Sequence, residues 1–590
     1  MASYDYKGNG QYESSAEPVE VGQSSRLKKR FGFHLAVDQE PSSFAATPAA
    51  SNADFDPVPP SKRTWGTWAF VAYWMADAWA VSNWEVASSM IAVGLSWKMA
   101  IGACVLGNTI MGLVITVNGR IGAILHTPFP VLARMSFGYY FSYFVVLSRC
   151  VLATVWLGVQ TTTGGQCMTI LLAATWPSFK NIPNHIAEDE GITTQGMIGF
   201  LLYFLLQIPF LCIPYTKVQY FFGFKSIIAP IIFLAVFGST LHKAGGTISN
   251  STVITGGTKI HGSALAWAFF ANLNGVLGNY ATLGLNIADF ARYSKKPSDQ
   301  NVQAIVIPCI FTIVGLLGIF TAAASQTAYG EVEWNPIVIV GYWSNSGSSA
   351  GRAATAFGAI GLIIVTLGIN ISANSISAAN DLVAFCPKYI NIRRGQLLAA
   401  VIGSWAFVPA SEHQTSNYSL LMSCAVENSR VSCKVSRLPW RLHDFPRTHD
   451  IDSDGRASGA LYVLCASLTS RYSYYIVRRG RVSVPDMYNF HGMYRYSARW
   501  ATNWRSVVAL IIGFAPPLPG FIHNIENSII VSSGGRNIFA IGYVYSFVSA
   551  GLFYWIFMKY FPHKESMLDH AVLGEDIIAE ADQKRRLGEA

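Results

Sequence analysis

The stretches 99–117, 196–213, 265–287, 302–324, 353–380 and 538–558 contain no Asp, Glu, Lys or Arg. A bilayer core takes about 20 consecutive apolar residues per helix, and runs this long exceed an ordinary strand. Each is therefore read as a membrane-spanning helix. The stretches 67–97, 141–173 and 220–241 carry one or two charged residues and span as well, whereas 396–410 and 507–521 are shorter. Charge is scarce throughout: 13% of the 590 residues are Asp, Glu, Lys or Arg, roughly half the ~25% of soluble domains. A water-soluble globule of this length is excluded.

The formal net charge is +9, but its placement matters more than its sum, and no nucleic-acid partner is expected. With Arg26, Lys28, Lys29 and Arg30 taken as cytoplasmic, the inner connections carry Arg120 and Arg134, then Lys217, then Arg292, Lys295 and Lys296, then Lys388, Arg393 and Arg394. The alternate connections carry Glu188, Asp189 and Glu190, or Glu331 and Glu333. That is the positive-inside asymmetry. It predicts a multi-pass plasma-membrane protein, with both termini cytoplasmic and the bilayer itself as a partner. Asn250-Ser251-Thr252 is a glycosylation sequon on the predicted outer side. The polar segments 1–64 and 561–590 read as disordered cytoplasmic tails flanking a transporter domain over 65–560, with no cleavable signal peptide. The nine cysteines show no metal spacing. No nucleophile–base pair, metal cluster or phosphate loop is present, so neither an enzyme nor a cofactor is expected.

One region fits poorly. From Ser411 to Arg456 the chain is polar and rich in Ser, Arg and His, and 457–468 is too short to span alone. Yet the topology needs a crossing between about 411 and 475. The segment 411–472 is either a long outer loop before a poor tenth helix or a disturbed reading frame, such as a retained intron.

Polar groups within spans mark interhelical contacts or a solute path, because an unpaired one in hydrocarbon costs kilocalories. The first span holds Asp77, Ser82, Asn83 and Glu85. Either it is broken near mid-membrane, or its carboxylates pair with a neighbour such as Arg149. In the third span Trp156 and Gln160 lie four apart on one face, offering an indole for stacking and a carboxamide that both donates and accepts. The sixth has Asn272, Asn274, Asn279 and Asn286 among Gly275, Gly278 and Gly284, with Tyr280 between them. It reads as a second broken helix or as a close helix contact through small residues. In the eighth, Asn370, Asn374 and Asp381 share a face. Spans one and six are five helices apart, the spacing of two inverted five-helix repeats around a solute.

At these residues the chain resembles the nucleobase–cation symporter family, in its fungal uracil, allantoin and uridine permease branch. The resemblance is carried by GLSW at 94–97, PFPVLARMSFG at 128–138, VWLGVQ at 155–160, NYATLGLNIADFARYSK at 279–295, NISANSISAAND at 370–381, PKYINIRRG at 387–395 and YIVRRGRVSVPDMYNF at 475–490. It implies an all-α membrane protein of about 12 transmembrane helices in the leucine-transporter-type fold, two inverted five-helix repeats plus two extra helices. It further implies that Trp156 stacks on the solute, that Gln160 and Asn374 bond to it, and that Tyr280 closes the ring from the other side, with Gly278 and Asn279 beside it. Asn83, Glu85, Asn370 and Asp381 are the expected coupling and gating residues.

Two departures bear on coupling. Gly368 and Ile369 stand where sodium-driven relatives supply paired hydroxyls, which favours a proton over sodium. Glu85 stands where Gln is expected, and either it or Asp381 is the expected proton carrier. The expected function is alternating-access import of uracil, allantoin or a related planar heterocycle. A thiamine or nucleoside permease and a non-transporting receptor on the same fold are the alternatives, and a homo-oligomer is left open.

Overall fold

The computed structural model describes residues 2–7, 11–16, 51, 55–186, 192–213, 215–248, 251, 254, 261–406, 467, 469, 471–497, 499–525, 529–563 and 566–574. Apart from Ser467, Thr469, Arg471 and Tyr472, the anomalous 411–472 segment lies outside them, as do Glu188 to Glu190 and Asn250 of the sequon.

The first span is two helices, α1 (Thr67–Ala78) and α2 (Val81–Ala92), separated at Trp79 and the extended Ala80. Of the two readings the sequence left open, this is the broken helix. Next come α3 (Trp97–Leu125), the short α4 (Phe129–Phe137) and α5 (Tyr139–Thr175). At 1.5 Å per residue α5 is about 55 Å long, well beyond a hydrocarbon core of about 30 Å. α6 (Thr194–Leu211) and α7 (Tyr215–Lys243) follow. Their starts and stops obey local chemistry. Ser96 and Thr193 accept the Met99 and Gly196 amides as N-caps, and His126 ends α3 in the left-handed region at φ 53°.

The sixth span corrects the sequence reading. It runs unbroken from Gly262 to Asn286 (α8) through Gly275, Gly278, Asn279 and Tyr280, and only at Ile287 does it pass into the four-residue α9 (Ala288–Ala291). Its amides are used inside the folded helix bundle. Asn272 donates to Ala268 O at 2.8 Å, and Asn274 accepts from the Tyr543 amide at 2.8 Å. Small residues bring α3 close: a Cβ on Gly107 would lie 2.6 Å from Val276, and one on Gly122 2.6 Å from Ala288. Asn272 and Asn274 thus serve packing, the other of the two readings, with the close approach made by glycines of α3.

α10 (Gln303–Tyr329) and α11 (Pro336–Tyr342) lead to the eighth span. That span comprises α12 (Ser349–Ile369), a π-helical turn over Asn370–Ser375, and α13 (Ile376–Phe385). α14 (Ile392–Ala406) precedes two bent pairs, α15 (Trp504–Phe514) with α16 (Leu518–Ile525) at 48°, and α17 (Ser533–Ala540) with α18 (Gly542–Tyr560) at 83°. Among the described residues six helices are long and apolar enough to cross a membrane, or up to eight if each bent pair is one span.

The packed unit begins before residue 65. Phe55 is buried, its carbonyl accepts from the Tyr488 hydroxyl, and the Val58 amide donates to His126 O at 2.9 Å. After residue 560, Val572 pairs through its backbone with Val482 and Val484. Near the N-terminus, Ala2–Lys7 (β1) pairs antiparallel with Gln11–Ala16 (β2).

α5 and α6 meet through glycine. A Cβ on Gly164 would lie 2.1 Å from the Tyr203 ring, and one on Gly199 2.1 Å from the Thr169 hydroxyl. Overpacking of this kind costs about 1–3 kcal/mol. Gly164→Ala is therefore expected to lower the yield of monodisperse protein in size-exclusion chromatography, and Gly164→Ala with Tyr203→Ala to recover part of it. An unchanged elution profile for the single variant would contradict this contact.

Candidate functional site

The break in the first span frees backbone carbonyls in an apolar interior, where each needs a donor. Side chains supply them. The Asn83 amide donates to Ala78 O at 3.0 Å and Phe311 O at 3.4 Å, and the Tyr280 hydroxyl donates to Asp77 O at 3.0 Å. Tyr280 is held edge-on against Phe311, with ring centroids 4.5 Å apart. Asn83 and Tyr280 therefore both act at the break. Gly278 and Asn279 lie half-buried on the same turn of α8.

The Asp77 side chain points toward the eighth span, where Ser372 donates to Asp77 Oδ1 at 2.7 Å. Ser372 belongs to the π-turn, a feature that recurs at functional sites. The same turn grips α5 with its other polar side chains. Asn370 Nδ2 lies 3.3 Å from Leu157 O, 3.1 Å from Thr161 Oγ1 and 3.0 Å from Gln207 Oε1. Asn374 Nδ2 donates to Trp156 O at 3.3 Å and to Asn370 Oδ1 at 3.1 Å. Asn374 is thus seated on the α5 turn that carries Trp156 and Gln160. Gln160 is 3% exposed, and among the described residues its amide makes no hydrogen bond. The Asn374 amide is therefore bonded to the backbone of the α5 turn from which the half-buried Trp156 and the buried Gln160 project.

A sequence profile of permeases for cytosine/purines, uracil, thiamine and allantoin matches residues 57–426 and 463–545. The chain belongs to this permease family. An uncharacterized permease of Schizosaccharomyces pombe is 31% identical, with 90% of this chain and 84% of the relative covered. The allantoin permease of Saccharomyces cerevisiae is 30% identical (87% and 76% covered), and its uracil permease 28% (83% and 73%). Among solved structures, Mhp1, a nucleobase-cation-symport-1 family transporter in a closed conformation with bromovinylhydantoin bound, superposes with a TM-score of 0.64 at 18% identity, covering 88% of this chain and 98% of Mhp1. The permease is a multi-pass secondary transporter of nucleobase-type solutes on the leucine-transporter-type fold, and not an enzyme.

The permease's charged groups are distributed in a way its sequence did not announce. Arg149 pairs with neither Asp77 nor Glu85. Its Nε lies 2.8 Å from Asp381 Oδ2, and its NH1 3.9 Å from Asp289 Oδ2, with all three side chains essentially inaccessible. Asp381 is thus held in a buried ion pair. Glu85 is 2% exposed, and its Oε2 has no partner among the described residues.

A further buried charge is Lys225 of α7, a residue that sequence reading passed over as one tolerated charge in a span. It is 1% exposed, its Nζ makes no hydrogen bond and no ion pair within 4 Å among the described residues, and the nearest opposite charge acting on it is Asp77. Its methylenes run along Gly368, where a Cβ would lie 2.4 Å from Cδ and 3.4 Å from Nζ. Gln207 of α6 and Ser404 of α14, both fully buried, were missed as well. A polar residue inside an apolar run was the available signal for all three.

Proposed function

We propose that this permease imports a small planar heterocycle of the uracil or allantoin kind across the plasma membrane together with a proton, with both termini cytoplasmic. The observation that carries the reading is the seating of the Asn374 amide on the Trp156–Gln160 turn. A flat ring stacks on the indole while the two carboxamides meet its alternating N–H and C=O groups. Binding there touches α5 and the π-turn, and through Ser372 and Asp77 also the broken first span. Rocking of the first-span bundle against α5 then exposes the solute to the inner side.

Proton coupling is supported by what fills the space beside Gly368 and Ile369. Neither side chain has an oxygen, and the Lys225 side chain lies against Gly368. A hard cation such as sodium wants several oxygens, and an ammonium already in place repels it. Lys225 and Asp77, both buried and neither held in an ion pair among the described residues, carry the proton in the cycle, a role for which Asp381, paired with Arg149, is less suited.

Uptake of radiolabelled uracil and allantoin is the test, in cells lacking their own permeases. Expected is saturable uptake of at least one of them, rising as the external pH falls and unchanged when choline replaces sodium. Uptake that requires sodium, or none of either solute with the permease at the surface, would overturn the proposal.

A further inference from the structure

Asn374 has a carboxamide that in principle offers a donor and an acceptor to a solute. Its surroundings remove that freedom. Both of its N–H groups are committed, to Trp156 O at 3.3 Å and Asn370 Oδ1 at 3.1 Å, and no described residue donates to its Oδ1. Turning the amide over would set its oxygen against two acceptors. Asn370 cannot yield by turning in concert, because its own Nδ2 faces Leu157 O and Gln207 Oε1. A backbone carbonyl accepts and never donates, so Trp156 O and Leu157 O, each at a long 3.3 Å, favour this sense of the chain of amides without fixing it alone.

Gln207 holds that sense in place. The Leu157 carbonyl is shared, since the Thr161 hydroxyl donates to it at 2.8 Å. Thr161 Oγ1 can itself turn to donate or accept. Gln207 Oε1, at 3.0 Å, is the nearest of the three acceptors for Asn370. Its Nε2 is anchored on the other side by Thr161 Oγ1 at 3.2 Å and Ser404 Oγ at 3.5 Å. Ser404 in turn donates to Thr161 at 3.1 Å. The relay thus runs Gln207 to Asn370 to Asn374, and every member is buried.

We infer that Gln207 and Asn370 are positioning residues that lock Asn374 as a pure acceptor, so that the site selects solutes presenting a ring N–H to it. This rests on the transport reading above and deepens it. Imides and ureides carry such an N–H. A ring whose matching edge holds a bare nitrogen sets a second acceptor against the lone pairs of Oδ1 and is rejected, because a buried polar group is then left unpaired.

The test is competition against radiolabelled uracil uptake by two isosteric uracil analogues, one with C–H in place of N1–H and one with C–H in place of N3–H. In the parent permease, at least one analogue is expected to compete at least about tenfold more weakly than uracil itself. In Gln207→Leu that ratio falls toward unity. In Gln207→Glu, where a neutral carboxyl still accepts from Asn370 and donates to the hydroxyls, it is retained. A merely packing role for Gln207 would lower transport of all solutes alike and leave the ratio untouched. Equal competition by uracil and both analogues in the parent, which needs no variant to fold, overturns the inference while leaving the transport reading intact. So does an unchanged ratio in Gln207→Leu. Absence of any uracil or allantoin uptake by surface-localised parent overturns the transport reading, and this inference with it.

Discussion

Arg149→Met is expected to remove both uptake and folded protein. Arg149 and Asp381 are both buried, with 2.8 Å between Nε and Oδ2, and Asp289 lies 3.9 Å away on the other side. Asp289 is itself structural, since its Oδ1 accepts the Phe129 amide at 2.8 Å at the start of α4. Deleting the guanidinium leaves two carboxylates facing each other in a dry interior. Breaking a buried pair from one side costs about 3–5 kcal/mol, against a total stability of about 5–15 kcal/mol for a typical domain. Replacing both partners by apolar groups is far cheaper, so Arg149→Met with Asp381→Leu should regain part of the surface signal. The measurement is surface fluorescence of a tagged permease together with its thermal stability in detergent. Parent-like values for Arg149→Met alone would mean that the pair contributes little.

Lys225→Met should abolish concentrative uptake while sparing exchange. If the proton moves through Lys225 and Asp77, removing the ammonium leaves the solute site on α5 whole, because Trp156, Gln160 and Asn374 make no hydrogen bond to Lys225. Each pH unit across the membrane is worth about 1.4 kcal/mol, or about tenfold in accumulation. At two units of gradient the parent can hold uracil about a hundredfold above the outside, and the variant should settle near unity. Exchange of internal for external label should persist. Lys225→Arg separates charge from proton release: a guanidinium stays ionised, so this variant should also fail to concentrate solute. Parent-like accumulation ratios in Lys225→Met would remove the pair from the coupling mechanism.

The two carboxylates singled out for coupling from sequence fared differently. Asp381 was placed correctly on the polar face of the eighth span, yet its partner could not be named. Arg149 lies 232 positions away in the chain, and helical periodicity says which face a residue occupies without saying which helix covers it. Glu85 was recognised as out of place, and it is buried with Oε2 unpartnered. The sixth span misled for a related reason. Its glycines and asparagines carry the same composition whether a helix opens to a solute or closes against a neighbour, and the difference rests with Gly107 and Gly122 on α3.

The amino-acid order by itself determined that the chain lives in a bilayer, roughly where it crosses, and that Trp156, Gln160, Asn370 and Asn374 lie on polar faces. These follow from local quantities: apolar run length, charge per window and the 3.6-residue period. Only the tertiary structure decided that Arg149 belongs to Asp381, that Lys225 lies against Gly368, that the first span breaks while the sixth is continuous, and that Gln207, Asn370 and Asn374 are joined in one chain of amides. Each of these joins side chains far apart in the chain. In a dry interior a polar group's role is set by the partner that satisfies it, and that partner is chosen by packing.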